Sequence, residues 1–512
     1  MGHLLSVFLL FVASGTIYLV TLQFQSKLTR FYFQRKHDCY PASPMPQRER
    51  IIGWDLLQEN RTNERNRTLL ANGQRRFQKY GNTISNVLGT VPIFSTIEPE
   101  NIKTIMATKF ADFDIGAMRT RAFGPLLGNG IFTNDGQLWQ HSRSLIRPSF
   151  SKDQIADLEC LDQHVNAMLA LIPKDGTTTI DLQDLFFRLS LDMATDTLFG
   201  SSIGSLDPGS IGNQKFQQFF DAFTYSQVCL MRRAQLGGLV ALFRDSKFDE
   251  SNKICREVVD SFVRQAIEYN TSIENPSSKE GERLVDVNRE EKYVFLRELA
   301  KHTTNPQRLR DEGMCMLLAG RDTTSSLLAN LWHVLARRPD VFQELQEEVK
   351  QLHGERPTIT SMKGMKYLGF CLKETLRLYP SVPVNGRVAN KNTFLPLGGG
   401  PDGKSRLFIC KGQLVTYSLY ALHRRKDIFG ADAEEFKPER WATLRPGWAY
   451  LPFSGGPRIC VGQQFALTEA SYCTIRLLQS FSRLESRDTL PWEESLTITV
   501  CSANGVQVCL KP

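Results

Sequence analysis

From about Asn305 to Arg338 apolar residues recur at helical spacing, and the run ends at the stop signal Arg337-Arg338-Pro339, so one long buried helix is predicted there. A second periodic stretch, Gln463 to Leu478, predicts a helix near the C-terminus. Between Gly176 and Arg310 the pattern is helical, with polar breaks near Ser205 to Asn213 and Asn275 to Gly281 and no internal repeat. Strands are expected near Ile84 to Phe94 and in the C-terminal third. The fold class that follows is mainly α with a small β region.

Leu4 to Leu22 carries no charge and is mostly apolar, about the length a helix needs to cross a thin bilayer. A cleaved secretory signal is the alternative, but the basic residues Lys27, Arg30, Arg35 and Lys36 follow the apolar run instead of preceding it. By the positive-inside rule they keep the C-terminal side in the cytosol. The expected organisation is a single-pass anchor at 1–25, a basic, Pro-containing linker at 26–50 that Pro41, Pro44 and Pro46 stiffen, and a globular domain at 51–512. In the cytosol the sequons at Asn60, Asn66 and Asn270 stay bare.

A length of 512 residues would by itself allow three or four domains. The net charge of +8 is too modest at this size to argue for nucleic acid and suits an acidic protein surface better. The 11 cysteines are odd in number and scattered, with no C-x-x-C pair, which fits reduced thiols in the cytosol rather than a disulfide framework or a zinc site. No phosphate-cradling G-x-x-x-x-G-K occurs, and the glycines at Gly398 to Gly400 precede no helical pattern, so the chain has no nicotinamide site of its own.

The most informative stretch is Phe453-Ser-Gly-Gly456-Pro-Arg458-Ile-Cys460-Val-Gly462. It surrounds one cysteine with what an iron-bound thiolate requires: a tight turn allowed by Gly456, backbone N–H groups aimed at sulfur, and a helix start beyond Gly462. Arg458 would bind a haem propionate and Phe453 would shield the sulfur. The bland alternative for Cys460 is a buried small hydrophobe. The motif resembles the haem-binding signature of the cytochrome P-450 monooxygenases.

Three further motifs stand in the order that family requires. Ala319-Gly320-Arg321-Asp322-Thr323-Thr324 falls in the middle of the long helix, where the glycine is expected to let the backbone open. The resemblance makes Asp322 and Thr323 an acid and alcohol pair that relays protons to dioxygen, with a merely back-bonding hydroxyl as the alternative for Thr323. Glu374-Thr-Leu-Arg377 and the Arg440 of Phe436-Lys-Pro438-Glu439-Arg440-Trp441 correspond to a buried ionic triad that fixes the fold behind the haem. Trp139-Gln-His-Ser-Arg143 resembles the helix that holds a propionate, and Arg387 and His423 are weaker candidates for the same task. Motifs spread from Trp139 to Gly462 must meet round one cofactor, so a single large domain is expected.

What the resemblance implies is a monooxygenase with haem b ligated by Cys460, fed by NADPH through a separate flavoprotein reductase at the endoplasmic reticulum membrane. It would use dioxygen to hydroxylate an unactivated C–H bond of a hydrophobic small molecule. Gln463 to Tyr472, Leu378 to Asn385 and Gly398 to Gly403 are similar to the fungal alkane and fatty-acid hydroxylases, so a long-chain fatty acid or n-alkane is the first substrate. Tailoring of a polyketide or terpenoid is the alternative, and a non-catalytic haem protein is a different class that needs no proton relay. Gly386 stands where a bulky aromatic is expected, which would widen the pocket. Phe219, Phe220 and Phe223, with Phe113, Phe123 and Leu126, are candidates for core or pocket wall, and Arg143, Arg147, Arg424, Arg425 and Lys426 for a reductase-facing surface.

Overall fold

The computed structural model describes residues 27–150, 158–210, 214–274 and 293–512, with five isolated positions before residue 27. The principal elements, in chain order, are α1 (Trp54–Arg65), β1 (Thr83–Leu88), β2 (Val91–Thr96), β3 (Phe113–Asp114), α2 (Ala117–Leu127) and α3 (Gly136–Ile146). There follow α4 (Glu159–Ala170), α5 (Leu182–Phe199), α6 (Gln214–Gln235), α7 (Ser246–Glu274), α8 (Pro306–Leu335), α9 (Lys366–Leu378), β4 (Val384–Ala389), β5 (Leu414–Ser418) and α10 (Gln463–Ser480). One large, mainly helical domain with small sheets results. The largest sheet has the order β1-β2-β5-β4-β3, and only the β2–β5 pair is parallel.

α8 forms where the periodicity placed it. Pro306 occupies its first turn, the Asn305 side chain accepts from the Arg308 N–H at 3.1 Å, and the chain leaves the helix shortly before Pro339. Its two halves serve different cores. Leu309 to Leu318 pack with α6 and α7 through Phe223, Leu230 and Val259, whereas Leu327 to Leu335 pack with α4, α5, α9 and α10 through Val165, Phe186, Leu372 and Ile475. The segment between them, Ala319 to Ser326, belongs to neither apolar cluster.

α8 is an unbroken α-helix, so the expected opening at Gly320 is absent. The glycine has another purpose: a Cβ there would stand 3.3 Å from the Ala194 Cβ of α5, closer than helices normally pack. Gly386 also departs from expectation. A Cβ on it would lie 3.1 Å from the Val415 carbonyl oxygen and 3.3 Å from Thr416 Cγ2 of β5, so the adjacent strand packs tightly against this position.

Among the described residues no helix is long and apolar enough to cross a membrane. The expected anchor at Leu4 to Leu22 lies almost wholly outside those residues. Asn60 is buried and accepts from Arg76 at 2.9 Å, and Asn270 donates to the Arg297 carbonyl at 2.8 Å, which leaves Asn66 as the exposed sequon.

Candidate functional site

The loop before α10 is built round Cys460. Ser454 adopts a left-handed φ of 64°, Gly456 one of 65°, and the Cys460 N–H donates to the Phe453 carbonyl at 3.0 Å, closing a tight turn. Any side chain on Gly456 would collide with the Met106 carbonyl oxygen, so only glycine fits. Gly462 starts α10, and a Cβ on it would press on Phe150 at 3.2 Å. The loop spans the seam between the two cores: Phe453 and Phe465 pack on one and Val461 on the other. Cys460 keeps accessible surface although protein atoms surround it. Burial pushes its thiol up, opposed by the Gly462 N–H and the Arg143 charge.

Four arginines converge beside this loop. Arg143, on α3, donates to the Ile459 carbonyl at 3.0 Å, and Arg458 donates to Asp135 Oδ1 at 2.7 Å and the Asn134 carbonyl at 3.0 Å. Both guanidinium groups face the Trp139 ring, at 5.9 and 4.3 Å from its centroid. From β4, Arg387 donates to the Gly386 carbonyl at 2.7 Å, and Arg119 of α2 reaches the same strand at Asn385 Oδ1. Burial, with the charge of Arg387, lowers Arg119 and Arg458 to about 10. Among the described residues Asp135 is the one carboxylate bonded to the group, and its oxygens also accept the Ile115 and Gly116 N–H groups at 2.9 and 3.0 Å. Such an excess of enclosed positive charge is stable only beside further anions.

Arg119 escaped the sequence reading. An arginine in a short helix with no motif round it looks like surface, and only the approach of α2 to β4 turns it inward. His423 does not join the group. Its Nε2 accepts the Leu451 N–H at 3.0 Å and burial among arginines lowers it to about 3, so it braces the loop as a neutral ring.

Behind the loop Glu374 takes both Arg377 (2.9 and 2.8 Å) and Arg440 (2.9 Å), and in addition the Trp441 indole N–H at 3.0 Å. The structure thus brings Glu374, Arg377 and Arg440 into one buried network, which fixes the chain leading to Cys460.

On α8 the two relay candidates point apart. The Thr323 hydroxyl donates to the Ala319 carbonyl at 2.7 Å, and its own carbonyl accepts from Ser381 at 3.2 Å. Asp322 is buried, with Oδ1 accepting from Arg321 at 3.0 Å and Oδ2 unpartnered among the described residues. Burial raises its carboxyl and the Arg321 charge opposes this. Arg321 itself lies among the rings of Phe187, Phe220 and Phe223, at 5.1, 4.3 and 5.2 Å. Phe219 and Phe223 are core, as are Leu126 and Phe113, while Phe123 and Phe220 are partly exposed.

The expected reductase face is corrected in part. Arg424 is buried and paired with Glu434 at 3.1 Å, and Arg425 is held by Glu98 and Asp427 at 2.9 and 2.6 Å. Only Arg147 and Lys426 of that group are exposed.

A thiol at a tight turn, beside guanidinium groups that outnumber the carboxylates bonded to them among the described residues, fits an iron porphyrin with its two carboxylates. The pattern that defines the cytochrome P450 family matches residues 45–510, and the chain belongs to that family. A cytochrome P450 monooxygenase of Aspergillus japonicus, himC, is 45% identical over 94% of this chain and 86% of its own length. Fusarium heterosporum fsdH is 42% identical, covering 94% and 85%, and cytochrome P450 52A5 of Candida maltosa is 44% identical, covering 82% and 81%. The chain is accordingly an oxidoreductase of the monooxygenase class, with haem b as cofactor and electrons supplied by a redox partner.

Proposed function

We propose that this chain hydroxylates the terminal region of a long-chain fatty acid or n-alkane, drawing electrons from NADPH through a flavoprotein reductase at the endoplasmic reticulum surface. The enclosed cationic group beside Cys460 carries the assignment of the site: Arg119, Arg143, Arg387 and Arg458 would pair the propionates, and Cys460 would supply the axial thiolate. When bound, the haem supplies dioxygen activation, with electron release from sulfur favouring O–O cleavage. Trp139 backs two of the arginines, and the Glu374 network holds the loop in register. Asp322 and Thr323 hold protons on α8, the former as a carboxyl that burial keeps from ionising readily, the latter as a hydroxyl parked on Ala319.

A cleft of about 460 Å³ is lined by Arg61, Glu64 and Arg65 of α1 and Arg232 of α6 beside Leu57, Leu236 and Phe243, and with Arg232 paired to Glu64 at 3.5 Å it favours neither an acid nor a hydrocarbon. The second reading is tailoring of a polyketide or terpenoid. Titration of the ferric protein with linear fatty acids, n-alkanes and cyclic terpenoids tests the choice through the haem spin-state change. Saturable shifts with linear acids or n-alkanes and none with the terpenoids uphold the proposal, and shifts confined to the terpenoids reverse it. In the same preparation Cys460→Ser removes the red-shifted Soret band of the reduced carbonyl complex, and retention of that band would assign the thiolate to another cysteine.

A further inference from the structure

We propose that Cys160, His164 and Asp196 form a second metal site, for a divalent transition ion of zinc type, apart from the haem. Cys160 and His164 stand at i and i+4 on α4, one above the other on the same face, and Asp196 meets them from the last turn of α5. Cys160 Sγ lies 3.1 Å from Asp196 Oδ2, His164 Nε2 lies 3.1 Å from the same oxygen, and the three ligand atoms fall within 4.8 Å of one another. A tetrahedral zinc ion with bonds of about 2.0–2.3 Å holds its ligand atoms roughly 3.3–3.8 Å apart, so the two 3.1 Å separations need to open by only a few tenths of an ångström, which small side-chain rotations supply.

The donor set selects the ion. One thiolate, one imidazole nitrogen and one carboxylate oxygen suit zinc and disfavour magnesium or calcium, which take oxygen ligands. Three protein ligands leave a fourth position for water, and the site can be reached: the His164 and Asp196 side chains retain 14% and 16% of their surface. The spacing of the two helices is fixed independently, because Leu161, Val165 and Met168 seat α4 in the core that also contains Leu189 and Met193 of α5. Binding breaks the S–H bond of Cys160, whose proton passes to solvent, and forms metal bonds to Sγ, Nε2 and the Asp196 carboxylate with no change of oxidation state.

The ion would tie α4 to α5 near the end of the helix whose Ala194 lies against Gly320 of α8. Anything that binds the folded chain alone raises its stability, so zinc becomes a stabiliser of the scaffold behind the oxygen-side helix.

Untagged full-length holoprotein, freed of loose metal with a chelator, is dialysed against zinc sulfate and its zinc and iron are measured by plasma mass spectrometry. One zinc per haem iron is expected, with a rise in melting temperature. Cys160→Ser and His164→Gln should each weaken zinc binding by at least about tenfold and abolish the thermal rise, while the reduced-carbonyl Soret band remains. Absence of stoichiometric zinc in the parent protein, or equal zinc in both variants, overturns the proposal and leaves the cluster a hydrogen-bonded ion pair only.

Discussion

The Thr323 hydroxyl donates to the Ala319 carbonyl, four residues back on its own helix, at 2.7 Å, and no hydrogen bond connects it to Asp322 next door. Successive helix residues project about 100° apart, so adjacent members of a motif serve different directions. Thr324, the next residue, turns to Glu469 of α10, and Asp322 turns to Arg321.

Replacement of Thr323 by alanine therefore removes one hydroxyl from the surface of a helix that keeps all its backbone hydrogen bonds. Haem content and substrate binding should remain nearly intact, product per NADPH should fall, and hydrogen peroxide per NADPH should rise. Asp322→Asn should instead slow NADPH consumption and product formation together, because proton supply to the whole relay is weakened. Coupled product and peroxide assays decide the matter, and unchanged coupling in Thr323→Ala would make the threonine structural.

Glu374→Gln should destabilise the fold severely. The carboxylate is buried with two arginines and an indole N–H on it, and an amide of the same shape leaves the guanidinium groups uncompensated. Breaking a buried network of this type costs about 3–5 kcal/mol. Loss of haem incorporation and a lowered urea midpoint are expected. An unchanged midpoint would show that the network adds no stability.

Glu469 gives the chain a pH-dependent term. Burial raises its carboxyl to about 8, opposed by the nearby Thr324 and Ser190 hydroxyls. The folded state keeps the proton that the unfolded chain releases near pH 4.5, so this contribution is complete below that pH and is lost as pH rises to about 8. Glu469→Gln should flatten the decline and gain stability above pH 8, measured as melting temperature across the range.

Asn66 reports on topology. It is the exposed sequon, and a cytosolic domain would leave it bare. Expression in a secretory-competent host followed by endoglycosidase digestion should produce no mobility shift. A shift lost in Asn66→Gln would reverse the orientation inferred from Lys27 to Lys36.

Chemistry that depends on contiguous residues was readable along the chain. A turn around one cysteine needs its glycines within a few positions, so Gly456, Arg458, Cys460 and Gly462 declared themselves together, and α8 and α10 followed from periodicity alone. The small β region was legible for the same reason. Arg119 was not, because an arginine's direction depends on which strand its helix approaches, and nothing near residue 119 records β4. The same cause misplaced Arg424 and Arg425, which look like solvated charges in sequence and are ion-paired in the fold.

By itself the sequence determined the helices, the tight turn at Cys460 and the spacing of motifs, since each is fixed by local steric and hydrogen-bonding rules. Tertiary structure decided the purpose of each small or charged residue. In sequence Gly320 reads as a hinge and Gly386 as a loss of bulk, and only the fold shows that a neighbouring element, α5 or β5, stands 3.3 or 3.1 Å from where each Cβ would lie. The contact between Cys160, His164 and Asp196 is of the same kind: 36 residues separate the first from the last, and only the packing of α4 on α5 brings their ligand atoms together.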